Sequence, residues 1–418
     1  GKGWMKEMEK GFTPIAGGVT AAKGFMAAST AAGIKYSGRQ DMAMIYSRVP
    51  CRAAGTFTTN IVKAAPVKWD QARIEEGAEA QAVVINAGIA NACTGQEGMD
   101  YCSQTAEAAA QALGIPKESV LVASTGVIGM QLPMDRIAAG VAAMAPKLEE
   151  GLAGGEAASK AIMTTDTKNK EAAVQVEIGG ATVTIGGMCK GSGMIHPNMC
   201  TMLSFVTTDA AISRDLLLAA LREDIKDTYN MISVDGDTST NDTVLLLANG
   251  MAGNAEITEK GPDYEAFCRA LRYVNETLSK KIAGDGEGCT ALFEVQIRGA
   301  ATKEQAKVLA KAVITSNLTK AAIFGHDANW GRILCAMGYS GAQFDPEKVD
   351  LFFESRAGRM QIIADGVAVD YSEEQATKIL SEPEVRAIAD IKMGEEEATA
   401  WGCDLTFDYV KINADYRS

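Results

Sequence analysis

Histidine is almost missing from this chain: two among 418 residues, His196 and His326. A serine or cysteine nucleophile activated by imidazole would have to use one of them. His196 lies five residues before Thr201 on the same short stretch, too local for an independently oriented base. His326 sits in FGHDANWGR, followed by Asp327, with no neighbouring histidine to share a zinc ion. The nine cysteines, at 51, 93, 102, 189, 200, 268, 289, 335 and 403, are odd in number, scattered and without a CxxC pair. Neither a disulfide framework nor a zinc site is expected; most should be small buried thiols in a reducing cytoplasm. Basic residues are the minority, 40 against 53 acidic, for a net charge of −13. That balance argues against nucleic acid or a membrane surface as a general partner. No apolar run reaches membrane-spanning length, and the opening GKGWMKEMEKGF lacks the apolar core of a signal peptide. Metal and nucleotide signatures fail too. DGDTSTND (235–242) starts like a calcium loop but lacks its sixth-position Gly and twelfth-position Glu. Lys190 is followed by Gly191, where a phosphate-binding loop needs Ser or Thr.

What remains is a glycine-rich chain of mixed α and β character. The 42 glycines accompany a 47% hydrophobic and 22% charged composition, ordinary for a globular protein of two or three domains. QAVVINAG (81–88), VLVAST (120–125), TMLSFVTTDAAI (201–212), TVLLLANG (243–250) and CTALFEVQIRGA (289–300) predict buried strands. AAVQVEIGGATVTIGG (172–187) predicts a hairpin about Gly-Gly. Helices are predicted over 105–116, 134–150, 214–232, about 262–282 and 302–316, with an acidic helix near 372–392. EGLAGGEAASK (150–160) is the softest boundary signal, and a smaller C-terminal lobe is expected from about 343.

KGSGMIHPNMCTMLSFV (190–206) places two candidate nucleophiles, Cys200 and Thr201, where a glycine loop enters a strand. A Thr or Cys at the start of a chain needs no histidine, because its own α-amine, with a pKa of roughly 7.7–8.0, serves as base. An internal residue gains that amine only if the preceding peptide bond is cut. Its hydroxyl or thiol can attack the preceding carbonyl, giving an ester or thioester that water opens.

Six blocks then occur in order: STGVIGMQLPM (124–134), TTDTKNK (164–170), KGSGMIHPNMCTML (190–203), SVDGDTSTNDT (233–243), GHDANWGRI (325–333) and YVKINADYRS (409–418). Together they resemble the ornithine acetyltransferase (glutamate N-acetyltransferase, ArgJ) family over about residues 12–418. The resemblance implies a DmpA/ArgJ-like α+β fold, a layered α/β/β/α sandwich made by two chains from one self-cleaved precursor. Residues 1–200 would form the α chain and 201–418 the β chain, assembled as two of each. Thr201 would be nucleophile and, through its freed amine, base; Thr125 and Gly126 would form the oxyanion hole. Thr164, Lys190, Thr201, Glu287, Asn413 and Ser418 would contact substrate, with Lys190 on a carboxylate and Glu287 on an ammonium. Asp285 is the alternative register to Glu287. The implied substrates are N-acetylornithine and glutamate in arginine biosynthesis, with no cofactor or metal, and acetyl-CoA open as a second donor. An aminopeptidase or amidase of the DmpA type, with water as acceptor, is the alternative. One departure stands out: the family usually has Ala before the nucleophile, and here it is Cys200, which admits a rival cut after Met199.

Overall fold

The computed structural model of the chain describes residues 11–59, 61–191, 202–232, 242–285 and 289–404. The chain divides into two compact units, residues 1–225 with 237–278 and residues 226–236 with 279–418. The second unit therefore takes in 279–342 as well as the stretch after 343.

The first unit contains, in chain order, β1 (Phe12–Ile15), β2 (Phe25–Thr30), β3 (Met42–Phe57), α1 (Ala65–Glu75), β4 (Ala80–Asn86), α2 (Gly95–Leu113), β5 (Val120–Ser124), α3 (Met134–Met144), α4 (Leu152–Ala161), β6 (Lys170–Ile178), β7 (Ala181–Lys190), β8 (Leu203–Thr208), α5 (Arg214–Ile225) and β9 (Thr243–Ala248). Helix α6 (Pro262–Gly284) has residues in both units. The nine strands run β1-β6-β7-β8-β9-β3-β4-β5, with β2 beside β3. Strands β4, β5, β8 and β9 are buried along their whole length. The two parallel pairs, β4–β5 and β8–β9, are made from these strands. Parallel pairs covered on both faces favour near-continuous apolar runs, which is why β4, β5 and β9 stand out in the sequence, while β8 buries three hydroxyl side chains among its apolar ones.

Strand β3 joins the two halves of this network. Residues 42–51 pair with β2 and β4, and residues 52–57 pair with β9. The register slips between Tyr46 and Cys51, where Arg48, Val49 and Pro50 are exposed. Alternate residues then face two cores. Met42, Met44, Val84 and Val122 meet Cys102, Ala106, Ile137 and Val141 of α2 and α3. Ala43, Ile45, Val83 and Ile85 meet Phe205, Leu245 and Leu247 across a sheet-to-sheet core. The outer side of the β7 half is covered by α6: Tyr273 packs on Phe12, and the Cys189 thiol donates to the Leu278 carbonyl. The result is the α/β/β/α order.

EGLAGGEAAS is no boundary but α4, packed on β2. Its glycines permit close approach: a Cβ on Gly155 would lie 2.6 Å from Thr20 Oγ1. Helix α3 stops at Met144 and passes into a short turn, Ala145–Lys147, that contains Pro146, whose ring cannot continue an α-helix. The helix expected over 214–232 ends at Ile225.

The second unit adds β10 (Leu292–Ala300), α7 (Lys303–Ile314), α8 (Asn317–Phe324), α9 (Trp330–Gly338), β11 (Asp350–Ser355), β12 (Gly358–Ala364), β13 (Val367–Ala368), α10 (Glu373–Leu380), β14 (Glu384–Asp390) and β15 (Glu396–Cys403), with sheet order β13-β12-β11-β14-β10-β15. The Thr302 hydroxyl caps α7 by accepting from the Gln305 N–H. The predicted acidic helix is only α10. After Pro383 the chain becomes β14, parallel to β10, because EVRAIAD alternates with period two. No helix among the described residues is long and apolar enough to cross a membrane. Cys51, Cys102, Cys189 and Cys403 are buried, whereas Cys93 and Cys335 are exposed.

One buried carboxylate is a stability feature. Asp70 of α1 is 1% exposed; its Oδ1 accepts from the Val122 N–H on edge strand β5 at 2.9 Å. Its Oδ2 meets no donor among the described residues. Burial pushes this carboxyl well above its usual range, against the opposing Val122 N–H and Arg73. The protonated form is therefore favoured by folding. This contribution is complete below the unfolded value of about 3.9 and is lost as pH rises through the raised folded value. Asp70→Asn should flatten that loss. Thermal unfolding from pH 4 to 7 should show the variant gaining a few degrees relative to the parent; parallel curves would remove Asp70 as the cause.

Candidate active site

The site grows from the end of β5. The Thr125 N–H donates to the Asn86 carbonyl at 3.0 Å, extending the β4–β5 ladder by one step. Val127 N–H then donates to Gly88 O at 3.1 Å, and Ala90 N–H to Val127 O at 2.9 Å. Between them Gly126 has φ +130°, and a Cβ there would lie 2.3 Å from Gly88 C and O and 2.7 Å from Ile89 N. No other residue fits. Thr125 is 0% exposed.

Lys190, the last residue of β7, meets Thr125 from across the unit. It is 0% exposed and pairs in register with Leu203 of β8. Its Nζ donates to Thr164 Oγ1 at 2.8 Å and to Thr125 Oγ1 at 3.2 Å. An ammonium has donors only, so both hydroxyl oxygens must accept, and each keeps its own proton for a further acceptor. Thr164 lies in the loop after α4. The same loop carries Asp166, whose Oδ1 stands 3.8 Å from Lys190 Nζ and accepts from the Thr164 N–H at 3.2 Å. Asp166 Oδ2 accepts from Lys170 Nζ at 2.5 Å and from the Gly191 N–H at 2.9 Å. Burial would raise the Asp166 carboxyl, but Lys190, Lys170 and the Gly191 N–H outweigh it and hold it below its ordinary value. Lysines are rarely this deeply buried unless paired. Here two ammoniums share one carboxylate.

Thr125, Gly126, Thr164 and Lys190 are thus brought together by the fold. Cys200, Thr201, Glu287, Asn413, Ser418 and His196 lie outside the described residues. Asp285 belongs to the second unit and is buried, with its N–H on the Ile282 carbonyl. His326 is exposed, at φ +53°, with Nδ1 3.3 Å from Ser381 Oγ. Asp166 and Lys170 were not singled out from the sequence, although both stand in TTDTKNK. Their four-residue spacing just before a strand was the available signal. No group of three His, Cys, Asp or Glu able to hold a metal occurs among the described residues.

Residues 26–418 match the ArgJ family. The Arginine biosynthesis bifunctional protein ArgJ of Symbiobacterium thermophilum is 58% identical over 97% of this chain and 99% of that protein. The protein of the same name from Thermotoga neapolitana is 52% identical over 91% of this chain and 95% of its own length. Among solved structures, the ornithine acetyltransferase of Mycobacterium tuberculosis complexed with ornithine is 43% identical, with a TM-score of 0.41. It covers 46% of this chain and 100% of that one.

Proposed function

This chain belongs to the ArgJ family, and on that premise we propose that it moves an acetyl group from N2-acetylornithine to glutamate through an acetyl ester on Thr201. It is an acetyltransferase of arginine biosynthesis, acting on small-molecule substrates. The observation that carries the reading is the buried Thr125–Gly126 turn with the Lys190 ammonium on Thr125 Oγ1. Two peptide units separate Thr201 from Leu203, the register partner of Lys190. Covalent geometry alone keeps those two Cα atoms within about 7 Å.

The chemistry then follows without histidine. Thr201 Oγ attacks the Cys200 carbonyl; the C–N bond breaks, the proton passes to the departing nitrogen, and an ester links the two residues. Water hydrolyses it, leaving a carboxylate on Cys200 and a free amine on Thr201. That amine takes the hydroxyl proton as Oγ attacks the acetyl carbonyl of N2-acetylornithine. The negative oxygen of the tetrahedral intermediate is met by the Thr125 O–H and the Gly126 N–H. Collapse breaks the C–N bond, the proton goes to the leaving ornithine amine, and the acetyl group stays on Thr201. The neutral α-amine of glutamate then repeats the sequence in reverse. Lys190, engaged by two hydroxyls, supports the oxyanion pair; Thr164 lies beside it at the substrate side. Glu287, Asn413 and Ser418 complete the substrate contacts, with Glu287 on the ornithine ammonium. The acetyl group travels on Thr201 itself, so no cofactor or metal is needed. The mature enzyme is two α chains (1–200) and two β chains (201–418), in the cytoplasm.

Incubation with N2-acetylornithine tests this directly. Without glutamate, ornithine should appear only as one burst per site; with glutamate, release should become continuous, with the parallel reciprocal plots of a ping-pong reaction. Steady acetate without glutamate would instead mean hydrolysis, the aminopeptidase-type outcome. A parallel arm with acetyl-CoA and glutamate decides whether a second donor is used. Thr125→Val should lower kcat by about 10²–10³ with little change in KM; unchanged kcat would take Thr125 out of the oxyanion hole.

A further inference from the structure

We propose that Arg39, supported by Lys35, is a specificity-determining residue of this site: the loop between β2 and β3 supplies the cation for the side-chain carboxylate of the acceptor, glutamate. This role rests on the acetyl-transfer reading and names what tells its two amino acids apart. The transfer sets a problem of charge. Donor and acceptor share an α-amino-acid end, but the ornithine side chain ends in an ammonium and that of glutamate in a carboxylate. One fixed charge facing both side chains would repel one of them, so the acceptor needs a partner of its own. Lys190, held on Thr125, Thr164 and Asp166, stands at the reacting end.

Residues 31–41 cross from β2 to β3 beside the site, and they are fastened at several points. Asp41, 5% exposed, closes the base: Oδ1 accepts from the Ala32 N–H at 2.7 Å and Oδ2 from the Ile34 N–H at 2.8 Å. The Asp41 carbonyl accepts from the Ala87 N–H at 2.8 Å, one residue beyond the Asn86 carbonyl that holds Thr125. Ile34 is buried in the core under α2 and α3, and Arg136 donates to the Gly33 carbonyl at 2.5 Å. A loop tied in this way presents its side chains with little ordering left to do on binding.

Its two cations bracket the site. Lys35 lies on the Gly126 side: a Cβ on Gly88, the residue that Gly126 crowds, would stand 3.2 Å from Lys35 Cβ. Arg39 lies on the Thr164 side, where its Nη2 donates to the Met163 carbonyl at 2.6 Å and the Thr164 carbonyl at 3.4 Å. Thr164 holds Lys190 on its hydroxyl, so the guanidinium is at most about 11 Å from that ammonium. Glutamate spans about 6 Å from its amine to its side-chain oxygens, and a hydrogen bond adds about 3 Å. Arg39 is exposed and Lys35 half-buried, and neither forms an ion pair among the described residues, in a chain with 53 acidic residues against 40 basic ones. Nε and Nη1 of Arg39 meet no protein acceptor there. A guanidinium with donors to spare, seated on the backbone of a site residue, suits a planar carboxylate.

Glutamine is the control acceptor, since it has the shape of glutamate without the charge. Arg39→Gln should raise KM for glutamate about tenfold while KM for N2-acetylornithine stays within about twofold. The preference for glutamate over glutamine in kcat/KM should fall by a similar factor, and Arg39→Lys should restore part of it. Lys35→Met should act in the same direction, more weakly. An equal rise in both KM values would mean that Arg39 only props the 163–166 loop, and would overturn the proposal; so would an unchanged preference for glutamate. Calorimetric binding of glutamate and of glutamine to the full-length parent and to Arg39→Gln makes the same comparison without turnover. The parent should bind glutamate about tenfold more tightly than glutamine, and the variant should bind them alike. A parent with that difference that moved no acetyl group would sink the transfer reading while leaving Arg39 as the carboxylate partner.

Discussion

Thr201→Ala is expected to give one uncut polypeptide of 44.0 kDa with no measurable acetyl transfer. Both losses come from the same atom. On the proposed chemistry, the hydroxyl that cuts the chain is the hydroxyl that later carries the acetyl group, and the amine that would serve as base exists only after the cut. Losses of about five orders of magnitude or more in kcat are usual when a covalent nucleophile is removed. A denaturing gel and an ornithine-release assay read both at once. Cys200→Ala separates this assignment from its rival. It should still split and still transfer, because only the carbonyl of residue 200 takes part. A split Thr201→Ala, or a whole Cys200→Ala, would move the boundary by one residue and make the thiol the nucleophile.

Gly126→Ala is the second substitution with a large expected effect, and it acts through space rather than charge. The new methyl would stand 2.3 Å from the Gly88 carbonyl carbon and oxygen, at a φ of +130°. All the colliding atoms are backbone, so relief requires prying apart the extension of the β4–β5 ladder. The combined strain and collision should cost about 3 kcal/mol or more. In a unit of this size that lowers the melting temperature by about ten degrees. On the proposed reading the same displacement would move the Gly126 N–H away from the oxyanion, so kcat should fall by about 10²–10³. Gly129→Ala is the control. It also has positive φ, +93°, but nothing lies within 4 Å of its Cβ position. It should lose stability modestly and keep its turnover. Equal behaviour of the two variants would deny Gly126 its special place.

The parts of this fold that the sequence announces are those buried on every side. VLVAS and TVLLLA read as strands because parallel pairs covered on both faces favour near-continuous apolar runs, whereas LSFVTT buries hydroxyls, of which those of Thr207 and Thr208 donate to backbone carbonyls. Helix α2 was legible at its end, where Gly114 takes φ +67°. What escaped was decided by distant partners. The Gly-Gly of α4 looks like slack chain until Thr20 and Ala27 are brought against it. EVRAIAD passes for helix until β10 and β11 flank it. The site divides in the same way. Thr125, Gly126, Thr164 and Lys190 came from the family resemblance, not from local pattern. Asp166 is in view in TTDTKNK, yet its meaning depends on Lys190 and Gly191 at the end of the neighbouring strand β7.

The strand order has a bearing on the life history of the molecule. Strand β7 ends before the Cys200–Thr201 bond and β8 begins after it, and the two are neighbours over residues 185–190 and 203–208. Strands β8 and β9 are enclosed on their other side by β3, from the N-terminal segment. A cut at that bond would therefore leave one fragment intercalated within the sheet of the other. Tethering would have done its work by then, since the two pieces meet as one chain and never have to find each other. Once matured and then denatured, they would face a bimolecular search for an interior position. Folding and unfolding would no longer be one path travelled in two directions, and the enzyme's persistence would be set by its rate of opening rather than by an equilibrium.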